Sequence, residues 1–503
     1  MDYTNYNLNF EAPLVEIMSA AIAQGTIDIP NTMPVVEEIL YSHARVADVN
    51  SSCTDGTLTI EATVNFIVVY CDRDGKKHSL EAKTSFNHSM AYPAVDENMW
   101  ADVKCECTNE ECKNNTSSTI AAQCVVEISG WVYSKQSVAV AQTSVDDEVL
   151  VQTKETDVEW VETLVKTSGE STIRQDIRIE DSKPQVETLL DNSVKYIVKN
   201  VQVKQGSVVI DGYAQLDIIY SYEKGVSKAQ SKLDNQIVIE NPEIKEGEIV
   251  CLKTQIKYVD IKIYEDEDGR KKILSVEIPL FVSVHQEVPT RSKAVLDAYG
   301  IKSPLKLEYI DVELPQKTQI FTRSSQVSTV VNLDERFDEK NLYSLGDISV
   351  ETVVADEQLI TISGILSLRV WSEDGEHKTS ELFYSTEIPM DKSMQDSNVE
   401  CDATLKSLSI YKNNNNEWVC NSDVSVDIKS ISRSNFTLVS EIQVGEEYKD
   451  DKYPLMLAIT SSDDSLWTIA RRCRVTIDDI LELNPHLSTE PVVAGSPIII
   501  YRK

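Results

Sequence analysis

Residues Gly56–Tyr70 read GTLTIEATVNFIVVY, and apolar and polar side chains alternate over most of this stretch. A period of two places successive side chains on opposite faces of a strand, and Val, Ile and Thr favour extended backbone. The stretch is therefore predicted to be a long β-strand with one face buried.

The same pattern recurs twice at a spacing close to 150 residues. Gly206–Tyr220 reads GSVVIDGYAQLDIIY and Glu357–Trp371 reads EQLITISGILSLRVW, starting 150 and then 151 residues further on. A charged turn follows each copy, and a second long alternating stretch follows the turn, at Ile120–Val132, Ile273–Val284 and Trp418–Ile431. Landmarks that recur in one order indicate an internal repeat.

The repeat predicts a mainly β protein built from three tandem antiparallel β-rich modules, each a small sandwich or an open barrel. The predicted bounds are 10–145, 150–300 and 305–445, with the third copy degenerate. Short helices are expected where a Pro opens an apolar run, at Pro34–Leu40 and Pro184–Leu190, and at Ser292–Tyr299 before Gly300.

Charge and hydropathy exclude several classes of partner. The 503 residues include 82 acidic and 48 basic side chains, a net charge of −34, which repels the phosphate backbone of nucleic acids. The N-terminus shows no basic and apolar leader, and apolar runs are far shorter than a membrane span requires. A cytoplasmic protein with its ten cysteines as thiols is predicted, with no direct membrane insertion.

Motifs of known catalytic chemistry are missing from the sequence. It contains no phosphate-binding Gly-rich loop, no serine nucleophile elbow and no zinc protease motif, and its six histidines lie singly. The protein is therefore predicted not to be an enzyme and to need no cofactor.

Cys105, Cys107, Cys112 and Cys124 form the one cluster with metal-like composition. Zinc sites usually use two pairs of ligands spaced by two to four residues, whereas the first pair here is C-x-C. Three alternatives stay open: a zinc site, redox cross-linking, or exposed thiols at a hairpin tip without a role. The prediction is that no metal is bound.

The last fifty residues differ from the rest. A charged linker is predicted at 446–453, and the segment 454–503 carries six acidic and five basic residues. Capping residues and apolar spacing predict the order strand, helix, helix, strand. The predicted elements are Leu455–Thr460, Leu466–Arg472, Ile477–Leu483 and Ile498–Tyr501.

The C-terminal sequence DDSLWTIARRCRVTIDDILELNP, followed by AGSPIII, resembles a LysM domain. The resemblance implies a small βααβ fold and a shallow groove for N-acetylglucosamine glycans. That groove is lined by Ser462, Asp463, Asp464, Ser465, Asn484, Pro485 and His486. Asp463 stands where the family has Gly, and its bulk and charge oppose a close approach of sugar, so weak glycan binding is predicted.

Trp467 lies one residue off the apolar stripe formed by Leu466, Ile469 and Ala470. It is either half-buried packing or an exposed anchor for a protein partner, because Trp is enriched at interface hot spots. Arg471, Arg472 and Arg474 are either solvated surface or part of a patch for an acidic partner.

The repeats also resemble a known family. The Pro-x-Val-Glu-x-x-Leu element, the strand Gly206–Tyr220 and the motif Asp297-Ala-Tyr-Gly300 are similar to the SPOCS modules of endospore coat proteins. SPOCS repeats ending in one LysM domain are the layout of clostridial spore morphogenetic proteins. This resemblance implies a non-catalytic scaffold in the mother cell, at the forespore surface, in spore coat assembly.

Two functions follow from the resemblances. In the first, the LysM domain docks the scaffold onto the coat morphogenetic ATPase SpoIVA, with other coat proteins as further partners. In the alternative, the protein binds peptidoglycan glycans and the SPOCS repeats serve as spacers.

Overall fold

The computed structural model describes residues 5–116, 118–142, 151–247, 249–356, 358–390, 397–449, 454–487 and 493–502. Nearly all of the regular structure is antiparallel strand, arranged as three sandwich modules followed by a small βααβ unit. This arrangement confirms the mainly β prediction. Among the described residues, no helix has both the length and the apolar character that crossing a bilayer requires.

The first module contains two three-stranded sheets, with the strand orders β1-β6-β5 and β2-β3-β4. One apolar core fills the space between the sheets, and the alternating stretch Gly56–Tyr70 supplies its central strand, β3. The strands are β1 (Asn5–Asp28), β2 (Glu38–Thr54), β3 (Thr57–Cys71), β4 (Lys77–Ala91), β5 (Trp100–Thr116) and β6 (Thr119–Ala141).

The second module repeats this plan, with the strand corresponding to β5 divided in two. Its strands are β7 (Val151–Arg178), β8 (Thr188–Lys204), β9 (Ser207–Tyr222), β10 (Gly225–Glu240), β11 (Ile249–Ile256), β12 (Asp260–Glu265) and β13 (Lys271–Gly300). β13 pairs with β7, β11 and β12, and β9 lies between β8 and β10.

The third module has the same topology, although its sequence is the most divergent. Here the strand corresponding to β2 is divided in two, and a single-turn 3-10 helix (Glu339–Asn341) precedes it. The strands are β14 (Leu305–Val330), β15 (Leu342–Ile348), β16 (Thr352–Ala355), β17 (Leu359–Ser372), β18 (His377–Pro389), β19 (Ser397–Lys412) and β20 (Trp418–Val444).

The gap-free alignment of the third copy is wrong by one residue. Ile360, Leu366 and Leu368 are buried in the core of the third module, as Ile60 and Phe66 are in the first, so the structural spacing is 300 rather than 301. A slip of one residue exchanges the two faces of a strand. The predicted start of the copy, residue 357, lies outside the described residues.

The predicted short helices are also wrong. Turns precede Pro34 and Pro184, the segments after them are irregular and lead into β2 and β8, and the Pro carbonyls accept hydrogen bonds from Tyr70 and Tyr220. Ser292–Tyr299 is the end of β13. Two bulges in the β7–β13 ladder interrupt its alternation, and burial of residues 294, 295, 298 and 299 imitates helical spacing.

Each module contacts the other two through shared apolar clusters. One cluster contains Phe10, Trp160 and Leu314, and another contains Val69, Ile219 and Trp371, one residue from each module in both cases. Because the three modules bury this apolar surface together, they are expected to fold as one unit rather than as three independent domains.

A buried ionic cluster lies beside the second apolar cluster. The Arg369 guanidinium of the third module lies 2.8 Å from a carboxylate oxygen of Asp191 in the second and 2.9 Å from one of Asp347. Tyr41 of the first module donates a 2.7 Å hydrogen bond to Asp191, and Arg45 lies 3.3 Å from Asp347. The charges of three modules therefore neutralise one another at their junction.

The C-terminal unit consists of β21 (Leu455–Ile459), α1 (Leu466–Cys473), α2 (Ile477–Leu483), a 3-10 turn (Pro485–Leu487) and β22 (Pro497–Tyr501). β21 and β22 pair antiparallel, and both helices pack on one face of this sheet. The predicted order is confirmed. Of the predicted linker, residues 446–449 are irregular and exposed, and residues 450–453 lie outside the described residues.

Candidate functional site

Helix α1 begins at a capping box. The Ser465 hydroxyl accepts a hydrogen bond from the Thr468 backbone N–H at 3.2 Å, and the Ser465 N–H donates to the Thr468 hydroxyl at 2.8 Å. These two hydrogen bonds give partners to N–H groups at the start of the helix that have no acceptor within it. The predicted site residue Ser465 therefore has a structural part in starting the helix.

Trp467 and Arg471 project from α1 onto the second module. The Trp467 indole N–H donates to Asp297 at 2.8 Å, and Arg471 Nη1 lies 3.0 and 2.8 Å from the two oxygens of that carboxylate. Tyr309 also donates to Asp297, at 3.3 Å. Of the two alternatives for Trp467, half-buried packing is the one observed, and the surface it packs on belongs to another module.

Tyr299 completes this contact. Its ring meets that of Trp467 edge to face at 4.9 Å between centroids, and its hydroxyl donates to the Val475 carbonyl at 2.8 Å. Burial raises the pKa of Tyr299, so the hydroxyl stays protonated and able to donate. Tyr299 is 4% exposed and belongs to the core of the C-terminal unit, as does the partly buried Ile301.

Arg474 ends α1 in a left-handed conformation, with φ of 56°. Its guanidinium lies 4.1 Å from the ring centroid of Tyr448, which precedes the unit in the chain. A cation over an aromatic face at this distance is attractive. Like Trp467 and Arg471, Arg474 is therefore engaged within the chain.

The predicted glycan groove is only partly open. Asn484 is 1% exposed, and its side chain bonds the Ile480 carbonyl and both backbone groups of Ile499, joining the end of α2 to β22. Asp464 accepts from the Ser461 N–H at 2.8 Å and from Arg472 at 3.1 Å. The Ser461 bond first, and Arg472 second, hold the pKa of Asp464 below its usual range.

The other predicted groove residues are exposed to solvent: Ser462, Asp463, Pro485 and His486. Ser462 and Asp463 form the turn after β21, and Pro485 and His486 belong to the 3-10 turn. Part of the facing loop, residues 488–492, lies outside the described residues. Among the described residues predicted to line the groove, these four side chains, including the Asp463 carboxylate, are the ones open to solvent.

The outer face of the β21–β22 sheet is apolar and open. Leu455, Leu457, Ile459, Ile499 and Tyr501 are each 45–67% exposed, and cross-strand pairing joins Leu455 to Tyr501 and Leu457 to Ile499. Five large apolar side chains on one small sheet form a contiguous patch, which marks interaction surfaces. These five residues are called the outer sheet face below. Because β21 reads LMLAI and is apolar at every position, its sequence carries no alternation that distinguishes the exposed face from the buried one.

The four clustered cysteines do not lie at an exposed hairpin tip. Cys105, Cys107 and Cys112 on β5 pack against the core of the first module, and Cys124 on β6 is 1% exposed within it. Across the described ranges, no group of three or more Cys, His, Asp or Glu side chains is arranged to hold a metal ion. The two sulfurs of Cys107 and Cys124 are 3.6 Å apart.

Comparison with known families matches the two kinds of module found in the fold. A family model described as SipL, SPOCS domain, matches residues 35–115 and 185–264. These segments contain β2–β5 of the first module and β8–β12 of the second. A LysM domain model matches residues 461–500, from the turn after β21 to β22. A search of curated proteins gives no match.

SPOCS and LysM domains are binding domains without catalytic activity, and the SPOCS domain is associated with sporulation. LysM domains bind glycans or proteins. The chain therefore carries two segments that match the SPOCS domain of SipL and a C-terminal LysM domain, and these domains support a sporulation-related protein.

Proposed function

We propose that this protein is a non-catalytic scaffold in endospore coat assembly. It works in the mother cell at the forespore surface and docks through its LysM domain onto the coat morphogenetic ATPase SpoIVA. The matched domains support the sporulation role, and the outer sheet face of the LysM domain is the observation that carries the docking.

The outer sheet face has the properties of a protein interface. Interface centres are apolar, with few charges, and buried aromatic anchors such as Tyr501 supply much of their binding energy. A monomer gains nothing by leaving Leu455, Leu457 and Ile459 about two-thirds exposed, because each costs hydration free energy. A partner that covers them recovers that free energy.

Docking on the outer sheet face leaves the rest of the protein undisturbed. Helix α1, which carries the contacts to Asp297 and Tyr299, packs on the opposite face of the sheet. A partner on the outer face therefore does not compete with the internal contacts of Trp467, Arg471 and Arg474. Docking through Trp467 or Arg471 instead requires the LysM domain to leave the second module first.

The glycan alternative finds less support in the groove. Asn484 and Asp464 are occupied by internal hydrogen bonds, and the exposed carboxylate of Asp463 stands where a sugar has to approach backbone. The Asp463 side chain takes up the room that a glycine leaves at this position, and its carboxylate has to give up water when a sugar covers it. We therefore expect weak glycan binding.

The proposal is tested with purified proteins. The full chain and a chain ending at Lys449 are titrated with SpoIVA and, separately, with N-acetylglucosamine oligomers, and circular dichroism confirms that both chains are folded. The scaffold proposal predicts that SpoIVA binds only the full chain. Equal binding to both chains moves the docking site to the SPOCS repeats, and tight oligomer binding without SpoIVA binding supports the glycan alternative.

A further inference from the structure

Four cysteines of the first module point into its core from two neighbouring strands. On β5, Cys105 pairs with Ile128 of β6, Cys107 with Val126, and Cys112 with Ala122. Cys124 therefore lies on β6 between the partners of Cys107 and Cys112, diagonal to both. The sequence alone places these residues near one another, but their shared face follows from the strand register.

A β-bulge brings one diagonal pair together. The β5–β6 register shifts between Thr108 and Glu111, so that Asn109 and Glu110 lie opposite Cys124 alone. Asn109 adopts a left-handed conformation, with φ of 50°. Bulges bend the strand that contains them and redirect its side chains. At this bulge the Sγ atoms of Cys107 and Cys124 lie 3.6 Å apart, within hydrogen-bonding distance.

We propose that Cys107 and Cys124 are a redox-active dithiol that closes reversibly to an intramolecular disulfide. A disulfide has an S–S distance of about 2.05 Å, so the sulfurs have to approach by about 1.5 Å. Rotation about the Cα–Cβ bonds of the two residues, together with the bend at the bulge, has to supply this approach. Cys107 is partly exposed, so a small oxidant reacts with it first. Cys124 is 1% exposed and reacts afterwards, with Cys107, from within the core.

The oxidant is a low-molecular-weight disulfide. The Cys107 thiolate attacks one sulfur of this disulfide, forming a mixed disulfide and releasing one thiolate, which takes up the proton lost from Cys107. The Cys124 thiolate then attacks Cys107 Sγ, forming the internal bond and releasing the second small thiolate, which takes up the proton of Cys124. Two protein thiols are oxidised and one small disulfide is reduced to two thiols.

Cys105 and Cys112 serve as matched controls. They share the strand and the face of Cys107, and burial raises the pKa of Cys105 to about 12 and that of Cys112 above its usual value, while the hydrogen bond with Cys124, followed by burial, raises the pKa of Cys107 as well. The pKa of the thiol therefore does not distinguish Cys107 from these two controls, and the comparison rests on the 3.6 Å approach of its sulfur to that of Cys124. Cys112 is the other diagonal neighbour of Cys124, so the experiment has to distinguish its bond from that of Cys107.

The experiment uses the native full chain in glutathione buffers of increasing oxidised fraction. Remaining thiols are blocked, and the chain is digested with trypsin without reduction. Trypsin cuts after Lys104, Lys113 and Lys135, so a bond from Cys105, Cys107 or Cys112 to Cys124 joins fragment 105–113 to fragment 114–135. Mass spectrometry detects the joined fragments, and the Cys→Ser variants identify the cysteine.

The proposal predicts joined fragments in the wild type and in the Cys105→Ser and Cys112→Ser variants. It predicts no joined fragments in Cys107→Ser or Cys124→Ala. In the wild type, two of the ten thiols are lost per chain. The reducing buffer restores both thiols. Joined fragments that persist in Cys107→Ser, or that form only in denaturant, overturn the proposal, as does their absence from the wild type. Cys107→Ser changes a partly exposed side chain, so the test stands if Cys124→Ala fails to fold.

Discussion

The Arg369 guanidinium and the Asp191 carboxylate lie 2.8 Å apart, and both side chains are almost completely withdrawn from water. Arg369 belongs to the third module and Asp191 to the second. At the position of Arg369, the corresponding strands of the first and second modules carry Val69 and Ile219, both apolar and buried. The repeats have therefore diverged at their junction, and this divergence distinguishes the third module from the other two.

Arg369→Met is expected to destabilise the protein by about 3–5 kcal/mol, because it leaves Asp191 as a buried charge without its main partner. Thermal unfolding followed by calorimetry measures the loss. The double variant with Asp191→Asn is expected to recover part of it, since the uncompensated charge is then gone. The exposed Arg336→Ala is the control and stays within about 0.5 kcal/mol of the wild type. Equal effects of Arg369→Met and Arg336→Ala contradict the account of the junction.

The stability of the protein is expected to fall as the pH drops below about 6.5. Burial, followed by the Arg369 charge, lowers the pKa of His43 to about 3, whereas an unfolded chain has the ordinary His pKa of about 6.5. Between these values the unfolded state binds more protons, so unfolding becomes easier as pH falls. The slope is at most about 1.4 kcal/mol per pH unit for this residue.

Denaturant unfolding at several pH values between 4 and 8 measures this dependence. His43→Gln is expected to reduce the slope of the profile in that range, leaving the part that His285 contributes. A steep profile that survives His43→Gln assigns the dependence to other groups. His285 is one such group, since burial, followed by the Lys166 charge, lowers its pKa to about 3 as well.

The register of the third module is tested by two neighbouring substitutions. Leu366 is 1% exposed in the core, so Leu366→Glu buries an unpaired carboxylate and is expected to unfold the module. Ile365 points to the other face of β17 and is only partly buried, so Ile365→Glu is expected to cost much less. Circular dichroism melting compares the two variants. The gap-free sequence alignment predicts the reverse order of their melting temperatures.

Asp297→Ala is expected to release the LysM domain from the second module. The variant loses the Trp467 hydrogen bond, worth about 1–3 kcal/mol when its donor is left unpaired. The half-exposed Arg471 pair adds about 0–1 kcal/mol. Hydrogen exchange is expected to rise in α1 and at residues 446–449 while the sandwich cores stay protected. Glu308→Ala, at an exposed site on β14, is the control, and equal exchange in both variants contradicts the anchoring.

The strands could be predicted well from the sequence because each module buries one face of its long strands. Apolar and polar residues therefore alternate along them with a period of two. The prediction failed on register in the third copy, where few identical residues remained to fix the alignment. The turn glycines Gly75, Gly225 and Gly375, spaced evenly by 150, mark the correct register. These glycines fix the position of each hairpin turn, so aligning them aligns the strands. The alternating apolar residues of two copies, in contrast, match almost as well when one sequence is shifted by one residue.

The LysM contacts could be predicted only in part. The capping boxes and apolar spacing of α1 and α2 are local, and the structure confirms them. Trp467 and Asp297 are 170 residues apart, and a hydrogen bond at that separation leaves no local pattern. Asn484 was predicted to line the groove because of its position in the family motif. Its three hydrogen bonds to backbone groups become visible only in the folded structure.

We propose above all that the LysM domain docks a protein through its outer sheet face. Calorimetric titration of SpoIVA into Leu457→Glu and His486→Glu tests it most directly, because each variant adds one carboxylate at an exposed site, on the outer sheet face or in the glycan groove. Both variants are expected to stay folded, with Leu457→Glu losing at least about 2 kcal/mol of binding free energy, or roughly thirtyfold in affinity, and His486→Glu binding like the wild type. Unchanged binding by Leu457→Glu, or a matching loss in His486→Glu, contradicts the claim.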